Sequence, residues 1–284
     1  MIQHIFANFV FFFMYCNLLS LLKEYSSEVL YLYNSGVSTS GLSRDLLNYK
    51  TKKNFVKILY NYLFQKNPLL PFKGSLRNIE GFILYCLIRK FKIKNILDIG
   101  TGNGFSSFIC AHALKNNNEE VRGGSIISVD IFDRNKEHNL SQIFKKHNII
   151  KYVNFVVGDS LEVLDRHEFQ YKKFELVIID GQHTYDHVIK ELELVQTCLS
   201  SSSILFFDDI FQRSSGKSVH DAMLELNNKL NGIVEKIDEN FYKIFNFFED
   251  EQDIERQKKK WIKYNSYKKD SNPRHKSALL FLDL

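Results

Sequence analysis

The amino-acid sequence predicts an α/β fold: a doubly wound, mostly parallel sheet preceded by a helical N-terminal region. Three observations predict it. From about residue 92 onward, short runs rich in Ile, Val and Phe alternate with amphipathic stretches, the order expected of strands joined by crossover helices. The runs are almost continuously apolar, as strands buried on both faces are. Each carries an aspartate at, just beyond or just inside its C-terminal end: Asp98, Asp130, Asp159, Asp180 and Asp208.

Composition is consistent with this. The chain has 284 residues, 44% hydrophobic and 25% charged, which excludes a mainly disordered chain, a collagen-like repeat and a polytopic membrane protein. Three prolines leave long elements uninterrupted. A net charge of +5 is compatible with an anionic partner without implying one. Cys16, Cys86, Cys110 and Cys198 are scattered with no C-x-x-C spacing, so they read as reduced thiols of a cytoplasmic protein.

Taken in order, residues 5–22 contain no charged residue and read as a helix. The length is at the lower limit for a membrane span, and Asn8, Asn17 and Ser20 interrupt it. Both membrane association and packing on the main domain stay open, and Lys23 on the C-terminal side would keep the remainder in the cytoplasm. Residues 25–66 are mostly helical, and a turn-rich linker from Asn67 to Ser75 closes an N-terminal extension, 1–75. The main domain, 76–284, opens with a helix over 79–91. Strands are expected at 95–99, 125–129, 153–157, 176–179 and 204–207, and helices at 106–114, 139–147 and 185–199. A charged insertion, 249–276, contains Lys258–Lys260, Lys268 and Lys269; it reads as a solvated face, and no nucleic-acid partner is expected. Residues 277–284 read as a last strand.

The chemistry is concentrated at the strand ends. In an open α/β sheet, ligands bind outside the carboxyl ends of the strands. Five carboxylates there repel one another unless they bind something. The first strand runs into Gly100-Thr101-Gly102-Asn103-Gly104, where glycines permit a tight turn and close ligand approach. Ser106 or Ser107 then opens a helix. Asp130, ending the next strand, is placed to accept hydrogen bonds from both hydroxyls of a ribose. A nucleoside-containing ligand follows. A dinucleotide fingerprint requires glycine where Phe105 stands, which ranks NAD second.

The stretch from Ile96 to Gly104 resembles the first motif of the class I S-adenosylmethionine-dependent methyltransferases, with their Rossmann-like fold. Asp130 is similar to that family's ribose-binding acid, and Val157-Gly158-Asp159-Ser160 to the segment that meets adenine. By motif the resemblance spans about residues 79–209. It implies a cofactor site of Asp98, Gly100, Thr101, Gly102, Gly104, Ser106, Asp130, Asp159, Ser160 and Asp180. The segment Asp180-Gly181-Gln182-His183-Thr184-Tyr185 resembles the Asp-Gly-x-His-x-Tyr segment of a subgroup that includes sugar O-methyltransferases, and Asp208-Asp209 its next acidic pair. Some members hold a divalent metal there. The resemblance then implies Mg²⁺ on Asp180, Asp208 and Asp209, with His183 and Asp180 as catalytic groups. A hard cation on carboxylate oxygens stabilises an alkoxide, and an imidazole suits proton transfer near neutral pH. The expected function is methyl transfer from S-adenosylmethionine to oxygen on a small molecule or sugar. A non-catalytic nucleotide-binding protein and an NAD-dependent oxidoreductase are the alternatives. His187 and His220 read as ordinary surface or helix residues.

Overall fold

The computed structural model describes residues 76, 78–117, 123–210, 213–214, 216–230, 233–236 and 277–283. The N-terminal extension with its apolar segment 5–22 and the charged insertion 249–276 lie outside the described residues. Among the described residues, no helix is long and apolar enough to cross a membrane.

Helix α1 (Asn78–Phe91) leads into β1 (Asn95–Ile99), α2 (Phe105–Asn117) and β2 (Ser125–Asp130). Two short helices, α3 (Arg134–His138) and α4 (Leu140–Lys146), precede β3 (Val153–Val157). Then come α5 (Ser160–Leu164), α6 (His167–Gln170), β4 (Phe174–Ile179), α7 (Tyr185–Val195) and β5 (Leu199–Phe207). A small hairpin, β6 (Arg213–Ser214) and β7 (Lys217–Ser218), leads to α8 (Val219–Leu230), β8 (Ile233–Lys236) and β9 (Ala278–Asp283).

The main sheet runs β3-β2-β1-β4-β5-β9-β8. The pairs from β3 to β5 are parallel, and β9 lies antiparallel between β5 and β8. The chain winds from β1 outward to β3, then crosses back to β4. The carboxyl ends of β1 and β4 therefore flank the switch point where such sheets bind ligands.

The period-2 alternation of each strand divides the core into two faces. Ile96, Ile126, Leu176, Ile178, Ile204 and Phe206 face α1 and α2. Leu97, Ile99, Ile127, Val129, Val177, Ile179, Leu205 and Phe207 face α7 and α8. Helix α2 is buried along nearly its whole length, because it lies between the sheet and α1. The three described cysteines, Cys86, Cys110 and Cys198, are buried.

Two expectations about elements change. β3 is the outer strand of the parallel half, so it is not buried on both faces; Val157 is 50% exposed. The helix expected over 185–199 stops at Val195, because Gln196–Cys198 tightens into a 3₁₀ turn and Leu199 pairs with Phe174.

One buried group makes the fold sensitive to acid. His112 on α2 is 6% exposed, with its Nε2 buried and without a hydrogen bond among the described residues. The rings of Phe108 and His147 lie 4.7 and 5.5 Å away. Burial, with His147 and Lys115 nearby, lowers its pKa from 6.5 to about 3. The folded chain thus holds His112 neutral while the unfolded chain binds a proton, and stability falls as pH drops from 6.5 toward 3. The expected slope is about 1.4 kcal/mol per pH unit for this group. Urea unfolding of His112→Leu between pH 7 and 4 should show that slope removed; an unchanged slope would place the acid sensitivity elsewhere.

Candidate functional site

The glycine loop is shaped by contacts with its own sheet. Gly100 N–H donates to Val129 O at 2.8 Å and Thr101 N–H to the same oxygen at 3.2 Å, so β1 leans across β2 as it ends. Gly100 has φ +99°, and a Cβ there would lie 2.0 Å from the Asp180 carbonyl oxygen; only glycine lets the loop pass this close to β4. Gly102 has φ +50° and open space beyond it, so a side chain at this position would project into the cavity.

A cavity of about 380 Å³ opens at this switch point. One wall is Gly100–Asn103 with Asp130, Ile131, Phe132 and Arg134. The other is Gly158–Ser160, Asp180–His183 and His187. Asp130 is tied into the loop: its Oδ2 accepts from Gly102 N–H at 3.0 Å, and its Oδ1 accepts from Phe132 N–H at 3.0 Å and Arg134 Nε at 3.2 Å. Ile131 and Phe132 beside it are each 59% exposed, an apolar surface that a planar base would cover. Asp159 caps α5 by accepting from Leu161 N–H at 2.9 Å. Glycine loop, ribose-type acid and exposed apolar shelf form a concave site that fits a nucleoside cofactor.

Asp98 is placed differently from its neighbours. It is fully buried on the α2 face of β1, and the cavity lining does not include it. Ser106, Ser107 and Ser128 donate hydroxyls to its Oδ2, and Thr101 Oγ1 lies 2.8 Å from Ser128 Oγ. Desolvation, opposed by these serines and reinforced by Asp130, raises its pKa to about 6. Asp98 and Ser106 thus brace the loop from behind; Ser106 also reaches the cavity wall.

At the other end, Asp180 and His183 line the cavity. His183 Nε2 is 3.5 Å from Asp180 Oδ1 and 3.9 Å from Asp209 Oδ2. Asp209 reaches this position with φ +48°, a left-handed conformation that aspartate tolerates better than most residues. Burial, with Asp208, Asp98 and Glu80 close by, pushes the Asp180 carboxyl well above the ordinary range.

Asp208 belongs to a nest beneath the cavity. Ser277, at the start of β9, donates to its Oδ1 at 2.8 Å and also meets Glu80 Oε1, a residue 1% exposed on α1. Asp208 also comes within hydrogen-bonding reach of Asp180. Among the described residues no group of three or more His, Cys, Asp or Glu side chains is set to hold a metal ion.

The histidine read as an ordinary surface residue also moves into the site. His187 lines the cavity, its Nε2 3.1 Å from Glu191 Oε1 and 3.0 Å from Ser160 Oγ, and Glu191 is fully buried. The signal available was the i,i+4 spacing of His187 and Glu191, which places both on one face of α7.

Residues 97–210 match the family model described as Methyltransferase domain. No curated protein matches the chain. Two solved structures show the same fold. The O-methyltransferase from Bacillus cereus, in complex with SAH, is 12% identical, with 89% of this chain and 100% of that one covered at a TM-score of 0.52. The O-methyltransferase TomG from Streptomyces achromogenes, involved in tomaymycin synthesis and in complex with SAM, is 15% identical, with 81% and 96% covered at a TM-score of 0.51. The chain therefore has a Rossmann-like α/β fold, within which residues 97–210 are similar to a methyltransferase domain.

Proposed function

We propose that this chain is an S-adenosylmethionine-dependent O-methyltransferase whose acceptor is a hydroxyl of a small molecule or sugar. The carrying observation is that one cavity joins the glycine loop and Asp130 to Asp180 and His183. When bound, S-adenosylmethionine supplies a methyl group on a sulfonium, whose C–S bond breaks as the acceptor oxygen bonds to carbon, the electron pair going to sulfur. The protein supplies the rest. Asp130 receives the ribose hydroxyls, while Gly100–Gly102 lets the cofactor lie against backbone. His183 accepts the acceptor's proton. Asp209, 3.9 Å from His183 Nε2, favours the imidazolium that forms, and a positive charge there in turn favours ionisation of the Asp180 carboxyl beside it. No step of this reading is routed through a metal.

Full-length protein titrated calorimetrically should bind S-adenosylmethionine and S-adenosylhomocysteine and leave NAD unbound. Transfer of labelled methyl to phenolic or sugar acceptors separates an enzyme from a non-catalytic binder. Asp130→Ala removes a ribose acceptor and the anchor of Gly102 together. Its cofactor affinity should drop by about 1.5–3 kcal/mol, ten- to a hundredfold. Equal affinity in variant and wild type would take Asp130 out of the site.

A further inference from the structure

Ser160, His187 and Glu191 join the end of β3 to the first turns of α7. Ser160 Oγ donates its single proton to Glu191 Oε1. At the 3.0 Å contact with His187, Ser160 therefore accepts, and His187 Nε2 carries hydrogen. The same Nε2 lies 3.1 Å from the buried Glu191 carboxylate, whose other oxygen, Oε2, is buried without a hydrogen bond among the described residues. A carboxylate so placed favours the imidazolium. Nε2 meets both Ser160 and Glu191, so this is not a relay in which the two ring nitrogens serve different partners.

The second ring nitrogen is thereby left over. His187 Nδ1 makes no hydrogen bond among the described residues, is not buried, and belongs to a residue on the cavity wall. Its neighbours there are Asp159 and Ser160, at the end of β3, the strand beyond β2 and its ribose-type acid. On the cofactor reading above, a ribose held by Asp130 would carry its base along the sheet edge toward Asp159, Ser160 and His187.

We propose that His187 is a specificity residue for the cofactor: seated on Glu191 and Ser160, it presents Nδ1–H to a ring nitrogen of adenine. Glu191 acts through it as a positioning residue. This rests on the S-adenosylmethionine reading of the cavity. His187 and Asp159 together match a base that offers a ring acceptor beside an amino donor, since Asp159 accepts and the imidazolium donates. The raised pKa of His187, caused by its bond to Glu191 against partial burial, agrees with a donor at both nitrogens.

The test compares S-adenosylhomocysteine with its 1-deaza, 3-deaza and 7-deaza analogues on full-length protein by calorimetry. For wild type, one analogue should bind about tenfold or more weakly, the worth of a charge-assisted hydrogen bond. In His187→Phe that penalty should vanish while the other two ratios stay unchanged. Glu191→Gln, which keeps the shape of the buried side chain, should shrink the same penalty and serves if the Phe variant does not fold. Three analogues equal to the parent in wild type, or a penalty that persists in both variants, would overturn the inference and leave the cofactor reading intact. Failure of wild type to bind S-adenosylhomocysteine at all would overturn both.

Discussion

Gly100→Ala is expected to lose cofactor binding by more than a hundredfold and to lower the melting temperature. The added Cβ would lie 2.0 Å from the Asp180 carbonyl oxygen, 2.5 Å from its carbon and 2.9 Å from Gly181 N. All three are backbone atoms, so no side chain can swing aside. Retreat of β4 would stretch the bond from Asp180 N–H to Ile99 O, 2.9 Å long at the switch point. A φ of +99° adds strain for any residue with a Cβ. Strain and overpacking each cost about 1–3 kcal/mol. Gly102→Ala is the contrast. Its nearest neighbour is Gly100 O at 3.9 Å, so it should fold with a loss of about 1–2 kcal/mol for the left-handed backbone and weaken the cofactor by intruding on the cavity. Thermal melts and S-adenosylhomocysteine titrations of the two variants check this. A Gly100→Ala protein that melts and binds like wild type would mean that the loop does not run against β4.

The same loop shows what a sequence can disclose. Its glycines, the strand before it and the helix after it are local, and the strand β1 begins and ends where its apolar run does. Asp130 was legible for the same reason, being the last residue of its strand. Asp98 stands in the same motif, yet it lies one residue inside β1. Strand alternation turns it away from the Leu97 and Ile99 face, toward the serines of α2. That reversal could have been read from the period alone. The partnership of Ser160, His187 and Glu191 could not, since the residues stand 27 and 31 positions apart and meet only after β4 inserts between β1 and β5. The tie from Ser277 to Asp208 and Glu80 is more remote still, spanning 69 and 197 positions. It depends on β9 entering the sheet beside β5, which no local pattern specifies. Helix α8 and strand β8 went unanticipated because their runs are short and interrupted by polar residues.

That remote acid nest carries the other large effect. Asp208→Asn should make the protein more stable at pH 8 by on the order of 2–4 kcal/mol. Burial, with Glu80 and Asp209 beside it, raises the Asp208 pKa from 3.8 to about 7. A carboxyl raised in the folded state contributes its full stability below pH 3.8, where both states hold the proton, and loses it as pH climbs through about 7. Asparagine cannot ionise and still accepts from Ser277, so the loss disappears in the variant. Urea unfolding should therefore show the variant ahead of wild type at pH 8 and level with it at pH 4. A constant difference across that range would assign the gain to packing instead of charge. His112 tilts stability the other way, losing it as pH falls from 6.5 toward 3, so between pH 4 and 6.5 the two groups oppose each other in the wild type. Removing Asp208 should expose the acid-side fall due to His112, and removing His112 should leave stability declining steadily from pH 4 to 7. Asp98 and Asp180, whose carboxyls burial also raises, add a decline of the same sign as Asp208, so the double variant should keep a smaller fall in stability as pH rises from 4, and a flat profile would remove those two groups from the pH dependence.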